Sequence, residues 1–168
     1  MLSSLRRIAA ISIGACTLAV AIAAAPAGAS PQQATLQSFV GTWTCITHGN
    51  DNKTYRETDV DSMYGNWLKI ESDYPAQNGA PAGTATTFVG YDGKHGHWIA
   101  TGVGTDDSYF TSYSKWPKFD GSKWYDAYPN DHGTATFQMP TSTSYTMQSV
   151  TPNAKGVMSS SHSICTKH

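Results

Sequence analysis

Beyond residue 30 the chain has almost no leucine or isoleucine. Only Leu36 and Leu68, with Ile46, Ile70, Ile99 and Ile164, occur there, whereas all 5 Trp, 9 Tyr and 5 Phe do. Aromatic side chains must therefore do most of the core filling. The same region holds no apolar run of the roughly 20 residues that a membrane-spanning helix needs. Charge is sparse and nearly balanced, 11 Lys+Arg against 12 Asp+Glu. That balance excludes the basic face of a nucleic-acid binder or of a protein held on anionic lipid. Enzyme signatures are missing too: there is no Gly-x-Ser-x-Gly, no zinc-protease helix and no phosphate loop. A pair such as Glu57 with Asp59 has the chemistry for acid–base work, but nothing in the spacing selects it. The sequence thus assigns no catalytic residue, no enzyme class and no cofactor. Asp59-Val60-Asp61 and Asp106-Asp107 lack the loop glycine and distal glutamate of an EF-hand and read as solvated carboxylates.

Cysteine is scarce, and its placement is informative. Residues 1–29 have the layout of an export signal: Arg6 and Arg7, an apolar run over 8–25, then the small residues Ala27-Gly28-Ala29. We read 1–29 as a cleaved signal peptide and 30–168 as one domain of an extracytoplasmic protein, secreted or periplasmic, with no membrane span and a monomer. Ile13-Gly14-Ala15-Cys16 loosely fits a lipobox, but the chain stays apolar past the cysteine, which favours simple export. Loss of the signal leaves nine basic against twelve acidic residues, a net charge of −3. It also removes Cys16, so Cys45 and Cys165 are the one intramolecular pairing left. An oxidising compartment favours that disulfide over buried thiols or a bond to another chain.

Strand signals dominate the rest. Thr42-Trp43-Thr44-Cys45-Ile46-Thr47 is an unbroken run of β-branched and aromatic residues between Gly41 and the turn Gly49-Asn50-Asp51-Asn52. A short helix over 34–39 leads into it and plugs one end. Further runs at 55–61, 66–73, 84–91, 97–103, 108–114, 123–128, 133–139, 143–150 and 156–166 alternate with Gly, Pro, Asn and Asp turns. About ten short strands predict an antiparallel up-and-down β-barrel or a sandwich. The cysteines favour the barrel, where first and last strands are antiparallel neighbours. Setting Cys45 opposite Cys165 pairs Trp43 with Lys167, Ile46 with Ile164 and His48 with His162.

Several of these segments carry a likeness. The Gly41-x-Trp43 opening, Phe88-Val89-Gly90-Tyr91-Asp92, Trp98, Asp107-Ser108-Tyr109 and Asp120-Gly121-Ser122-Lys123-Trp124 together resemble a lipocalin-like (calycin) family of bacterial domains of unknown function. The resemblance implies a lipocalin-like barrel with the opening tryptophan pointing into its base. It brings no catalytic residues.

A ten-stranded barrel leaves room for a ligand unless large side chains fill it. Trp43, Trp98, Tyr113 and Trp124 are the candidate lining residues, chosen by aromatic type and strand position, for a small, partly apolar molecule. His95-Gly96-His97 has the spacing of two metal ligands without an identifiable third, so no metal is assigned. A haem-binding barrel resembling the nitrobindins is the rival reading, with His162 as axial ligand, although an inward Trp43 and Cys45 turn His162 outward. The other rival is surface adhesion or carbohydrate contact through exposed aromatics over 116–124.

Overall fold

The protein is described by a computed structural model over residues 29–129, 132–152 and 156–168. The export signal read over 1–29 lies outside the described residues except for Ala29. The elements run α1 (Pro31–Phe39), β1 (Gly41–Gly49), β2 (Thr54–Tyr64), β3 (Trp67–Tyr74), β4 (Gly83–Asp92), β5 (His97–Gly104), β6 (Tyr109–Ser114), β7 (Lys123–Tyr128), β8 (Thr134–Thr141), β9 (Ser144–Pro152) and β10 (Met158–Lys167). Each strand pairs with the next, and β1 with β10, so the sheet closes into an antiparallel ten-stranded barrel.

The helix begins three residues earlier than its apolar pattern predicts. Ser30 accepts a hydrogen bond from the Gln33 amide at 3.1 Å, and Pro31 occupies the first turn, where its missing N–H costs nothing. Leu36 and Phe39 are its buried residues, and α1 packs against β2, β3 and β4.

The seam has the register expected from the cysteines. Trp43 faces Lys167, Cys45 faces Cys165, Ile46 faces Ile164 and His48 faces His162. Cys45 and Cys165 are disulfide-bonded across a separation of 120 residues. Lys167 adds a second tie: its ammonium lies 5.3 Å from the Trp43 ring centre and donates to the Ser38 carbonyl at 2.9 Å. Strand, seam and helix end are thereby joined at one place.

Aromatic rings fill the helix-capped end. The Phe39 ring lies 5.2 Å from Phe119, 5.7 Å from Phe137 and 6.0 Å from Trp43, while Phe119 also meets Trp98 at 5.0 Å and Trp124 at 5.6 Å. Small residues make space for them. Ser114, opposite Trp98, and Ser122, which accepts from the Trp124 indole at 2.7 Å, have no exposed surface.

A loop of this length makes the disulfide a large stabiliser in the chain-entropy account. The C45A/C165A double variant is expected to lose about 4 kcal/mol of unfolding free energy in urea titration. A loss below about 1 kcal/mol would mean that sheet closure holds the seam without it.

Candidate functional site

Because successive residues of a strand face opposite sides, the seam register decides what enters the barrel. On β1, Trp43 and Cys45 are inward and buried. Their partners on β2 are Asp59 and Glu57, and Gly41 pairs with Asp61. Three carboxyls of one strand therefore point into the interior. Asp59 and Asp61 are each 5% exposed, the reverse of the solvated pair expected from sequence.

These side chains border an inner cavity of about 290 Å³. Phe39, Trp124, Phe137 and Tyr145 supply its aromatic wall, and Ser72, Ser112 and Ser163 its hydroxyls. Glu57 and Tyr74 also border a wider cleft of about 540 Å³ at the rim, so they stand at the neck between the two. The rim is held by the Gln77 side chain, which exchanges two hydrogen bonds of 2.8 Å with the Arg56 backbone.

Burial sets the electrostatics. Loss of solvent, then the neighbouring Asp59 charge, pushes Asp61 up to about 8, although Lys167 acts against the rise. The same two causes push Glu57 up to about 7, opposed by a hydrogen bond with Tyr74. Asp59 is raised by burial, with Ser72 partly offsetting it. Tyr145 is raised by burial and by all three carboxyls. The three carboxyls share a field and titrate as a set. Asp59 Oδ2 and the Tyr145 hydroxyl each lie 3.5 Å from Cys45 Sγ. A disulfide sulfur carries no hydrogen, so any proton in those contacts comes from the carboxyl or the phenol. Asp59 Oδ1 and Asp61 Oδ1 have no hydrogen-bond partner among the described residues.

The residues singled out in the sequence are scattered. Trp124 borders the inner cavity. Trp43 is buried at the base, where its indole donates to the Phe39 carbonyl at 2.7 Å. Trp98 is buried and faces a separate cleft beneath α1, with Phe119 and Pro117. Tyr113 lies on the outer face, stacked on Tyr125 at 5.8 Å, because the inward parity of β6 belongs to Ser112 and Ser114. His95 Nδ1 is engaged with Asp92 Oδ2 at 2.6 Å, and the His97 ring packs 6.0 Å from Tyr113, also outside. His162 borders an outer groove with His48. Of the proposed aromatic platform, Trp116 is 51% exposed but Phe119 and Trp124 are buried in the core.

The missed residues had a signal. Glu57-x-Asp59-x-Asp61 repeats with the period of a strand, and hairpin pairing to an inward Trp43 and Cys45 fixes its face. A group formed by Cys45, Glu57 and Asp59 has the proximity of a metal site, yet the disulfide removes the thiolate and leaves two carboxyls.

No protein-family model matches the chain, and no curated protein matches its sequence. Solved structures do. An S-type phycobiliprotein lyase from Guillardia theta superposes with a TM-score of 0.57 at 9% identity, over 81% of this chain and 92% of the lyase. The likeness is one of fold. Two redesigned β-barrels are more distant: b11L5F_LGL at TM-score 0.49 and 8% identity, over 79% of this chain and 94% of the design, and mFAP0, solved bound to DFHBI, at 0.44 and 16%, over 78% and 100%.

The raised carboxyls make a pH prediction. Between about pH 4, where unfolded carboxyls ionise, and about pH 8, the folded chain holds protons that the unfolded chain has released, so stability falls as pH rises. Asp92 and Asp106, lowered by hydrogen bonds from His95 and Ser108, act in the opposite sense but only in more acid solution. The melting temperature is expected to be higher at pH 5 than at pH 8.5. D61N is expected to raise stability at pH 8.5 by on the order of 1 kcal/mol and to change little at pH 5. A flat profile in the parent chain would contradict the assignment.

Proposed function

We propose that the chain is an exported, non-catalytic barrel that holds one small organic molecule in its interior. The observation that carries this reading is the inner cavity of about 290 Å³, floored by aromatic rings and opening through the Glu57 and Tyr74 neck to the rim cleft. Concave, mostly apolar sites with a few convergent polar groups are the usual form of small-molecule pockets. Export is supported by the arginine pair, apolar run and small residues of 1–29, together with a disulfide of the kind that persists in oxidising compartments. The haem reading is less favoured, because His162 borders an outer groove and no histidine among the described residues borders the inner cavity.

Native mass spectrometry of the protein from an exported fraction, repeated under denaturing, non-reducing conditions, tests both halves. The expected spectrum starts at Ser30, retains the disulfide, and shows a non-covalent adduct that leaves on denaturation. A mass that retains 1–29 would overturn export. An adduct-free spectrum from every growth condition, with no uptake of added small molecules, would overturn the carrier reading.

A further inference from the structure

We propose that the molecule held is a compact organic cation, a protonated arylalkylamine or similar ammonium compound, with its nitrogen against Asp59 and Asp61 and its apolar part on the aromatic floor. This deepens the small-molecule reading above and rests on it.

Two buried carboxyls make the case. Asp59 and Asp61 are each 95% buried, line the cavity or its base, and each leaves Oδ1 without a hydrogen-bond partner among the described residues. A buried acceptor left unmade costs about 1 to 3 kcal/mol, more when charged, so such groups call for a donor. An ammonium supplies up to three N–H donors and the missing positive charge together. The rings of Phe39, Trp124, Phe137 and Tyr145 border the same space and attract a cation through their faces. A neutral ligand would satisfy the oxygens without balancing the charge, and an anion would add to it. A metal ion finds only Glu57 and Asp59 close to one point among the described residues, since the third member of that group is the disulfide-bonded Cys45. At about 290 Å³ the cavity equals about ten water volumes, which suits a ligand of about ten non-hydrogen atoms.

Uptake displaces protons from the carboxyl set to solvent, so affinity rises with pH. The groups facing the pair are Glu57 on β2 itself, Tyr74 from β3, Tyr145 from β9 and Lys167 from β10. The phenols are raised and stay neutral, and Lys167 is already committed to Trp43 and Ser38.

Calorimetric titration of the disulfide-intact protein with 2-phenylethylamine, its neutral analogue 2-phenylethanol and 3-phenylpropionate tests the inference. The amine is expected to bind at least about tenfold tighter than the alcohol at pH 8, with the carboxylate weakest. Its affinity is expected to rise between about pH 5 and about pH 8, with proton release seen as a dependence on buffer ionisation enthalpy. In D59N/D61N, checked for folding by melting, the amine-to-alcohol ratio is expected to fall towards one. Should that variant not fold, the pH profile and proton release of the parent chain decide alone. Equal binding of amine and alcohol, or a flat profile, would overturn the cation while leaving the small-molecule barrel. Uptake of Ca²⁺ or Zn²⁺ without the amine would also overturn it. Binding of none of these probes, nor of any neutral one, would remove the carrier reading beneath it.

Discussion

The interior depends on which face β1 and β10 turn inward at the seam. The Cys45 to Cys165 bond locks both strands in one register, and antiparallel pairing passes that choice to β2. A slip of one residue would put Thr58 and Val60 inside and Asp59 out in water, the arrangement hydrophobicity alone would favour. Instead Val60 is 48% exposed and Ile164 is 42% exposed, while the carboxyls are within. The covalent seam thus holds a strand in the costlier of its two faces. Natural chains that keep such a conflict commonly do so at functional sites.

The barrel divides its interior lengthwise. At the helix end, rings from α1, β5, β8 and the loop before β7 pack around Phe119 and Phe137, mostly edge to face. Serines take the intervening inward positions, so bulky and small side chains alternate around the wall. Asp61 and Asp59, opposite Gly41 and Trp43, share this deep end with the rings, and Glu57 lies nearer the rim. Lys167, on the inward face beside Trp43, stabilises the deep end, and Glu57 with Tyr74 marks the way out. Aromatic rings and carboxyls thus line one cavity together, and Glu57 with Tyr74 also borders the cleft at the rim.

Much of the fold was legible in the sequence. Turn spacing predicted about ten strands, and two cysteines at the ends of the domain predicted both closure and its register. The helix start was misplaced because capping by Ser30 and Pro31 lies outside the apolar pattern. The site was less legible, for a physical reason. Asp59 and Asp61 look solvated by composition, and only their parity against Trp43 reveals burial. Tyr113 looks like a lining residue by composition, yet Ser112 and Ser114 hold the inward positions, where their small size admits Trp98 and its neighbours. In a barrel whose core is aromatic, residue size and face are set by packing among rings, which local hydrophobicity does not encode.

The central claim is that burial raises all three interior carboxyls, Asp61 and Glu57 far enough to hold protons near neutral pH that a bound cation displaces. Carbon-13 NMR titration of the side-chain carboxyls of Glu57, Asp59 and Asp61, assigned by single Asn and Gln replacements, measures this directly. The account predicts that all three titrate above the ordinary carboxylate range, with Asp61 near 8 and Glu57 near 7 and with mutually dependent curves. Independent midpoints at about 4, the ordinary carboxyl value, would show a solvated, ionised interior and contradict it.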